Sequence, residues 1–173
     1  MLATNKTLIP ELNGVNAMIS IIETSQDESV VQSNICALCT LSTGNKKNME
    51  SIALKCPLKP LVDTLIHLLK PSDKELNASI SVKTMPIHEP EFVNMLEKTL
   101  LIMQLVCSKG CGSSGSGART EEIHQLNSDM NLVELLLSLL CFMHATEHRY
   151  SRVDHCFNII VNILSQLCSD EKT

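Results

Sequence analysis

Cys36 and Cys39 stand three residues apart in the stretch Cys36-Ala37-Leu38-Cys39. That spacing serves dithiol redox centres and half of a zinc ribbon, but a structural zinc site needs four well-placed ligands. The other close pair, Cys107 and Cys111, has the wrong spacing for the second half and flanks a Gly/Ser run. Cys36, Cys39, Cys107, Cys141, Cys156 and Cys168 lie in apolar helical stretches and read as helix cysteines, packing as small hydrophobes. His144, His148 and His155 gather around Tyr150, with Glu147 and Asp154 nearby. Imidazoles and carboxylates in that density could ligate a metal if they converged; they read instead as the polar residues of a turn between helices. The glycines from Gly112 to Gly117 are not a phosphate loop, because no strand precedes them and no Lys-Ser/Thr follows. No nucleophile–base motif or dinucleotide fingerprint is present. The expectation is a protein that is not an enzyme, with no cofactor and no metal.

The elements that position these residues follow from composition. In 173 residues, 44% are hydrophobic but only 2% aromatic, with no Trp and one Tyr. The mean hydropathy is +0.11. A core of Leu, Ile, Val, Met and Cys favours helices packed on helices over sheets, which recruit more aromatic and β-branched residues. Net charge is −5, which supplies no field for phosphates, so nucleic acid is disfavoured. The basic residues Lys46-Lys47, Lys55 and Lys59 read as a helix end or loop. The start of the chain lacks a basic-then-apolar leader. Its longest apolar stretch, Leu132 to Met143, is too short to span a bilayer. The reading is an intracellular protein, cytoplasmic or nuclear.

Helical periodicity appears in three long segments, Val30 to Leu41, Phe92 to Val106 and Val153 to Leu167. Polar or acidic starts precede them at Asp27-Glu28-Ser29, Glu89-Pro90-Glu91 and Ser151, suited to exposed amides and the positive end of a helix dipole. A second apolar helix comes before each: Val15 to Ile22, Leu58 to Leu69 with Pro60 in its first turn, and Leu132 to Met143 after the capping run Asn127-Ser128-Asp129. Shorter amphipathic pieces, Lys47 to Leu54 and Thr120 to Leu126, precede two of these pairs. The order short, long, long recurs, with nothing of period two.

Asn13-Gly14-Val15-Asn16-Ala17-Met18-Ile19 resembles the armadillo approach to a second helix, where a Gly precedes an apolar run. Val31 to Leu41 is similar to that family's third helix, and Gly44 to Ile52 resembles its turn and next first helix. The match covers one window, about Gly14 to Lys55; the other two units share helix order and apolar spacing but lack the Gly, so paired helices of the HEAT type stay open. The resemblance implies an all-α fold, a short right-handed α-solenoid of about three armadillo-like repeats in a single domain over 1–173. The units are 1–43, 44–108 and 119–168, each covering its neighbour's apolar face. Two segments depart from it: a 71–90 loop containing Pro71, Pro86 and Pro90, and a 111–118 Gly/Ser linker whose composition suits an engineered splice or a natural low-complexity loop.

Aligned on the apolar pairs Leu38/Leu41, Ile102/Leu105 and Leu164/Leu167, the third helices place Thr40, Gln104 and Gln166 in equivalent positions. In the armadillo family this position often carries an Asn that pairs with the backbone of an extended peptide, since an amide both donates and accepts. Ser33 and Glu97 lie two turns earlier. The nuclear-import members carry Trp four residues before the ladder; here those positions are Cys36, Leu100 and Asn162, so recognition of that type is disfavoured. The expected function is a protein-interaction scaffold. Thr40, Gln104, Gln166, Ser33 and Glu97 would hold an extended or helical partner segment, with Glu97 favouring a basic one. The alternatives are a slice of a longer solenoid acting in self-association, because the chain opens without a polar capping helix, and a regulatory subunit of an enzyme complex.

Overall fold

The computed structural model of the protein describes residues 13–69, 89–108, 116–145 and 151–170. These residues form eight α-helices and no strand. In chain order they are α1 (Gly14–Thr24), α2 (Glu28–Ser42), α3 (Lys46–Lys55), α4 (Lys59–Leu69), α5 (Pro90–Ser108), α6 (Ser116–Met130), α7 (Leu132–Ala145) and α8 (Ser151–Asp170). The all-α class follows from the sequence as expected.

Local chemistry accounts for several of the helix ends. Asp27 caps α2: its Oδ1 accepts the Ser29 N–H at 2.9 Å, the Val30 N–H at 3.4 Å and the Ser29 hydroxyl at 2.7 Å. Chiefly the Ser29 hydroxyl, and then the two amides, hold its carboxyl below the ordinary 3.8. The ionised cap is therefore fully effective above that value and is lost as pH falls through the lowered one. Asn45 caps α3, accepting the Asn48 N–H at 3.1 Å. Pro60 and Pro90 occupy first turns, where a missing N–H removes no helical bond.

The turn from α2 into α3 runs through Gly44 at φ +72°. A Cβ at Gly44 would meet no atom within 4 Å, so replacing it with Ala costs only backbone strain. Gly44→Ala should lower stability by about 1–2 kcal/mol in urea unfolding, and Gly44→Asn by less, because Asn tolerates the left-handed region. Equal effects from the two would show that the turn does not need that conformation.

One boundary differs from expectation. The run Asn127-Ser128-Asp129 lies inside α6, which also takes in residues 116–118 of the expected linker. The break before α7 is the single residue Asn131, held left-handed at φ 48°. Its carbonyl accepts the Leu135 N–H at 2.9 Å, so one αL residue turns the chain and starts the next helix. Asn127 still acts as a cap from within α6, its Oδ1 accepting the Val133 N–H at 3.3 Å. The 71–90 loop falls outside the described residues up to position 88, and α5 opens at Pro90 as its sequence requires.

The core centres on α5, which packs against α2, α3, α4 and α8. Around it, α1 lies on α2 and α3, α7 lies on α8, and α6 meets α7. The start of α4 is tied to α6 by the Leu58 N–H, which donates to Glu122 Oε1 at 2.6 Å. Ile35, Leu38, Leu61, Leu65, Leu100, Met103, Val106, Ile160 and Ile163 are wholly buried. Among the described residues, Phe92 is the only Phe in the buried core. Three polar residues, Asn48, Thr64 and Thr99, enter the interior, and the Thr64 hydroxyl donates to the Pro60 carbonyl at 2.9 Å. The Thr99 hydroxyl donates to the Met95 carbonyl at 2.9 Å, and the Asn48 amide donates to the Leu41 carbonyl at 2.8 Å, securing the last turn of α2.

Candidate functional site

Although α5 has neighbours on several sides, one stripe of it remains open. Asn94, Glu97, Lys98, Leu101, Gln104, Leu105 and Ser108 are half-buried or exposed, while the ten residues between and around them are buried. Steps of three and four keep the stripe on one side of a helix. Because α2 and α8 flank α5, it forms a floor between two walls.

At the C-terminal half of the stripe the floor deepens into a cavity of about 330 Å³. Leu101, Ile102, Gln104, Leu105 and Ser108 come from α5, Cys39 and Ser42 from α2 with Thr43 just beyond it, Met49 from α3 and Gln166 from α8. Gln104 and Gln166, on neighbouring helices, thus share one wall. Thr40 is exposed, does not line the cavity, and donates its hydroxyl to the Cys36 carbonyl at 2.9 Å. Ser33 is also exposed and donates to the Ser29 carbonyl at 2.8 Å. Both hydroxyls keep only acceptor capacity for a ligand. Thr43, three positions after Thr40, lines the cavity together with Cys39 and Ser42 of α2's last turn. Sequence spacing did not single out Thr43, Met49 or Leu101; a period of three from Thr40 was the only signal for the first.

Glu97 lies further along the stripe, its side chain 20% exposed, with Oε1 3.8 Å from His155 Nε2 of α8. Its field reaches two thiols. Burial, with Glu97 adding to it, pushes Cys156 up to about 12. Burial raises Cys39 too; Lys98 pulls it back, while Cys36 and Glu97 push further. Cys36 Sγ lies 3.7 Å from Met95 Sδ across the α2–α5 seam. The Cys-x-x-Cys pair is therefore half-buried in packing, and no two described cysteines form a disulfide.

Cys141 and Cys168 differ from the packed reading of the helix cysteines, since both are exposed. Iodoacetamide at pH 8 should modify these two first. Cys56, Cys107 and Cys156 should react roughly tenfold or more slowly until the chain is denatured, as peptide mass spectrometry would read. Early labelling of Cys156 would contradict its placement.

Of the histidine group, His144 and His155 are exposed on separate helices, whereas His148, Glu147 and Tyr150 fall outside the described residues. Among the described residues no three His, Cys, Asp or Glu side chains could together hold a metal ion. The lysines are dispersed: Lys46 lies 3.9 Å from Glu50, Lys55 donates to Asn16 at 3.0 Å, and Lys59 meets Asp63 at 2.9 Å. The positions four residues before the aligned ladder do not share an environment, for Leu100 is wholly buried, Cys36 half-buried and Asn162 exposed.

A larger cavity, about 440 Å³, lies between the α1–α2 turn and α4. Within it Lys59 meets Asp63, and His67 Nδ1 lies 2.6 Å from Glu28 Oε2, while Glu23 also lines the wall. The His67–Glu28 pair joins α4 to α2, and the Lys59–Asp63 pair lies within α4. No described helix is long and apolar enough to cross a membrane. No protein-family profile, curated protein or solved structure matches the chain.

Proposed function

We propose that the chain is a short right-handed α-solenoid of three armadillo-like units that works as a protein-interaction scaffold, holding a partner segment along α5 between α2 and α8. The observation that carries this reading is the open stripe of α5. A nineteen-residue helix packed by four others leaves one line of amide, hydroxyl, aliphatic and charged groups only half-buried or, at Ser108, exposed, and the line ends in a cavity. Further support comes from the order of packing, since the third helix of each proposed unit neighbours the next: α2 on α5 and α5 on α8. Polar side chains that donate and accept, placed over an aliphatic floor, suit an extended backbone. The absence of disulfides among the described cysteines fits a reducing compartment.

A photo-crosslinking amino acid placed at Gln104 should trap a partner in cells, while the same group at Leu54, 62% exposed on α3, should not. With that partner in hand, the double variant Gln104→Ala/Gln166→Ala should weaken binding roughly tenfold, about 1.4 kcal/mol, with no change in melting temperature. Adducts at Leu54 alone, or full affinity in the double variant, would remove the groove from consideration.

A second reading, self-association through the ends of the row, draws on Leu137 of α7 and Ile21 of α1, which are 46% and 39% exposed. A sedimentation coefficient that stays constant with rising concentration would end it.

A further inference from the structure

The cavity at the C-terminal end of the α5 stripe has a wall chemistry that selects its occupant. None of its lining residues carries a carboxylate, an ammonium or a guanidinium. Leu101, Leu105 and Met49 supply aliphatic surface, and Met49, 40% exposed at the rim, is a flexible thioether able to close over a guest. The hydroxyl protons on the α2 side are already used, Ser42 and Thr43 both donating to the Cys39 carbonyl at 2.7 and 3.0 Å. An anion entering the cavity would meet few donors. A cation would meet no carboxylate, because Glu97 stands seven residues before Gln104, about 10 Å along the helix, and already faces His155. A charged side chain would thus lose hydration with no opposite charge to replace it, whereas an aliphatic one loses nothing polar.

We infer that this cavity receives an uncharged aliphatic side chain from an extended segment of the partner protein, whose backbone amides meet Gln104 and Gln166. The inference rests on the groove reading above and names the chemistry of the segment that fills it. A volume of about 330 Å³ is at the small end of ligand-sized cavities, which suits an anchoring side chain rather than a whole cofactor. Partner recognition at this end is then set by shape and backbone pairing, and ionic strength has little hold on it.

The test pans a phage-displayed library of random extended peptides against the full chain, then measures the enriched peptides in solution at low and high salt. Enriched sequences should share a Leu, Ile or Met anchor. Exchange of that anchor for Lys or Glu should weaken binding at least tenfold, and high salt should change affinity less than twofold. Met49→Ser should cost several-fold while Met49→Leu retains binding, with thermal melts confirming that every variant folds. Peptides anchored by Lys or Arg, sensitive to salt and lost in Gln104→Ala/Gln166→Ala, would overturn the uncharged anchor and leave the groove standing. No enrichment, or binding indifferent to every groove variant, would overturn both.

Discussion

Leu100→Ala should remove about 2–5 kcal/mol of unfolding free energy, the range for truncating a wholly buried Leu. The side chain sits mid-way along α5, the helix that meets α2, α3, α4 and α8. A hole there removes contacts that several helices share, and their mutual packing limits collapse into it. Set against the 5–15 kcal/mol of a typical domain, the loss is a large fraction of the total. Urea unfolding followed by far-UV circular dichroism measures it; intrinsic tryptophan fluorescence is ruled out because the chain has no Trp. Leu54→Ala, at an exposed position on α3, should stay within about 0.5 kcal/mol of the parent. Equal losses at the two sites would mean that α5 is not the centre of the core.

Asn48→Asp should be comparably severe while changing almost no volume. Asn48 is wholly buried, and its amide nitrogen donates to the Leu41 carbonyl at 2.8 Å. An aspartate sets an acceptor against that carbonyl and takes a carboxylate out of water, a cost of about 3–5 kcal/mol at neutral pH. Burial raises a carboxyl's pKa, so the folded variant holds its proton at a pH where the unfolded chain has released it. The sign follows: the variant recovers stability as pH falls through the raised value. It keeps that gain below the unfolded value of about 4 and loses it as pH rises. The deficit in melting temperature relative to the parent should therefore shrink between pH 7 and pH 4. A deficit constant over that range would show that residue 48 reaches water.

The helices were legible because each rests on local signals. Asp27 before α2, the prolines opening α4 and α5, and the three- and four-residue apolar spacing are all in the sequence, and all are where the helices begin and bury themselves. The α6–α7 break was not. Asn127-Ser128-Asp129 has the composition of a cap, and nothing local says that Asn131 alone would adopt φ 48° and end the helix four residues after Asn127. The aligned polar positions Thr40, Gln104 and Gln166 do not share one setting. Gln104 and Gln166 meet at one cavity, but the apolar pairs used to align the helices are not buried alike. Leu38 and Leu41 are both buried, whereas Leu105 and Leu164 are only half so. Equal spacing thus did not mean an equal face, and the α2 end lines the cavity with Cys39, Ser42 and Thr43 but not with Thr40. Glu97 is an acidic residue in the sequence; only the packing of α8 reveals that His155 already stands beside it.

The seam between α5 and α8 joins the two halves of the chain, and no covalent bond crosses it. Were the backbone severed between Ser108 and Ser116, the first piece would carry α1 to α5 with the side of α5 that receives α8 laid bare, and the second would carry α6 to α8 with the matching side of α8 uncovered. Each piece is then the other's natural lid. The two pieces, mixed in solution, should recombine as a noncovalent pair on size-exclusion chromatography; if they elute separately, chain continuity at that point is part of the architecture and not only proximity.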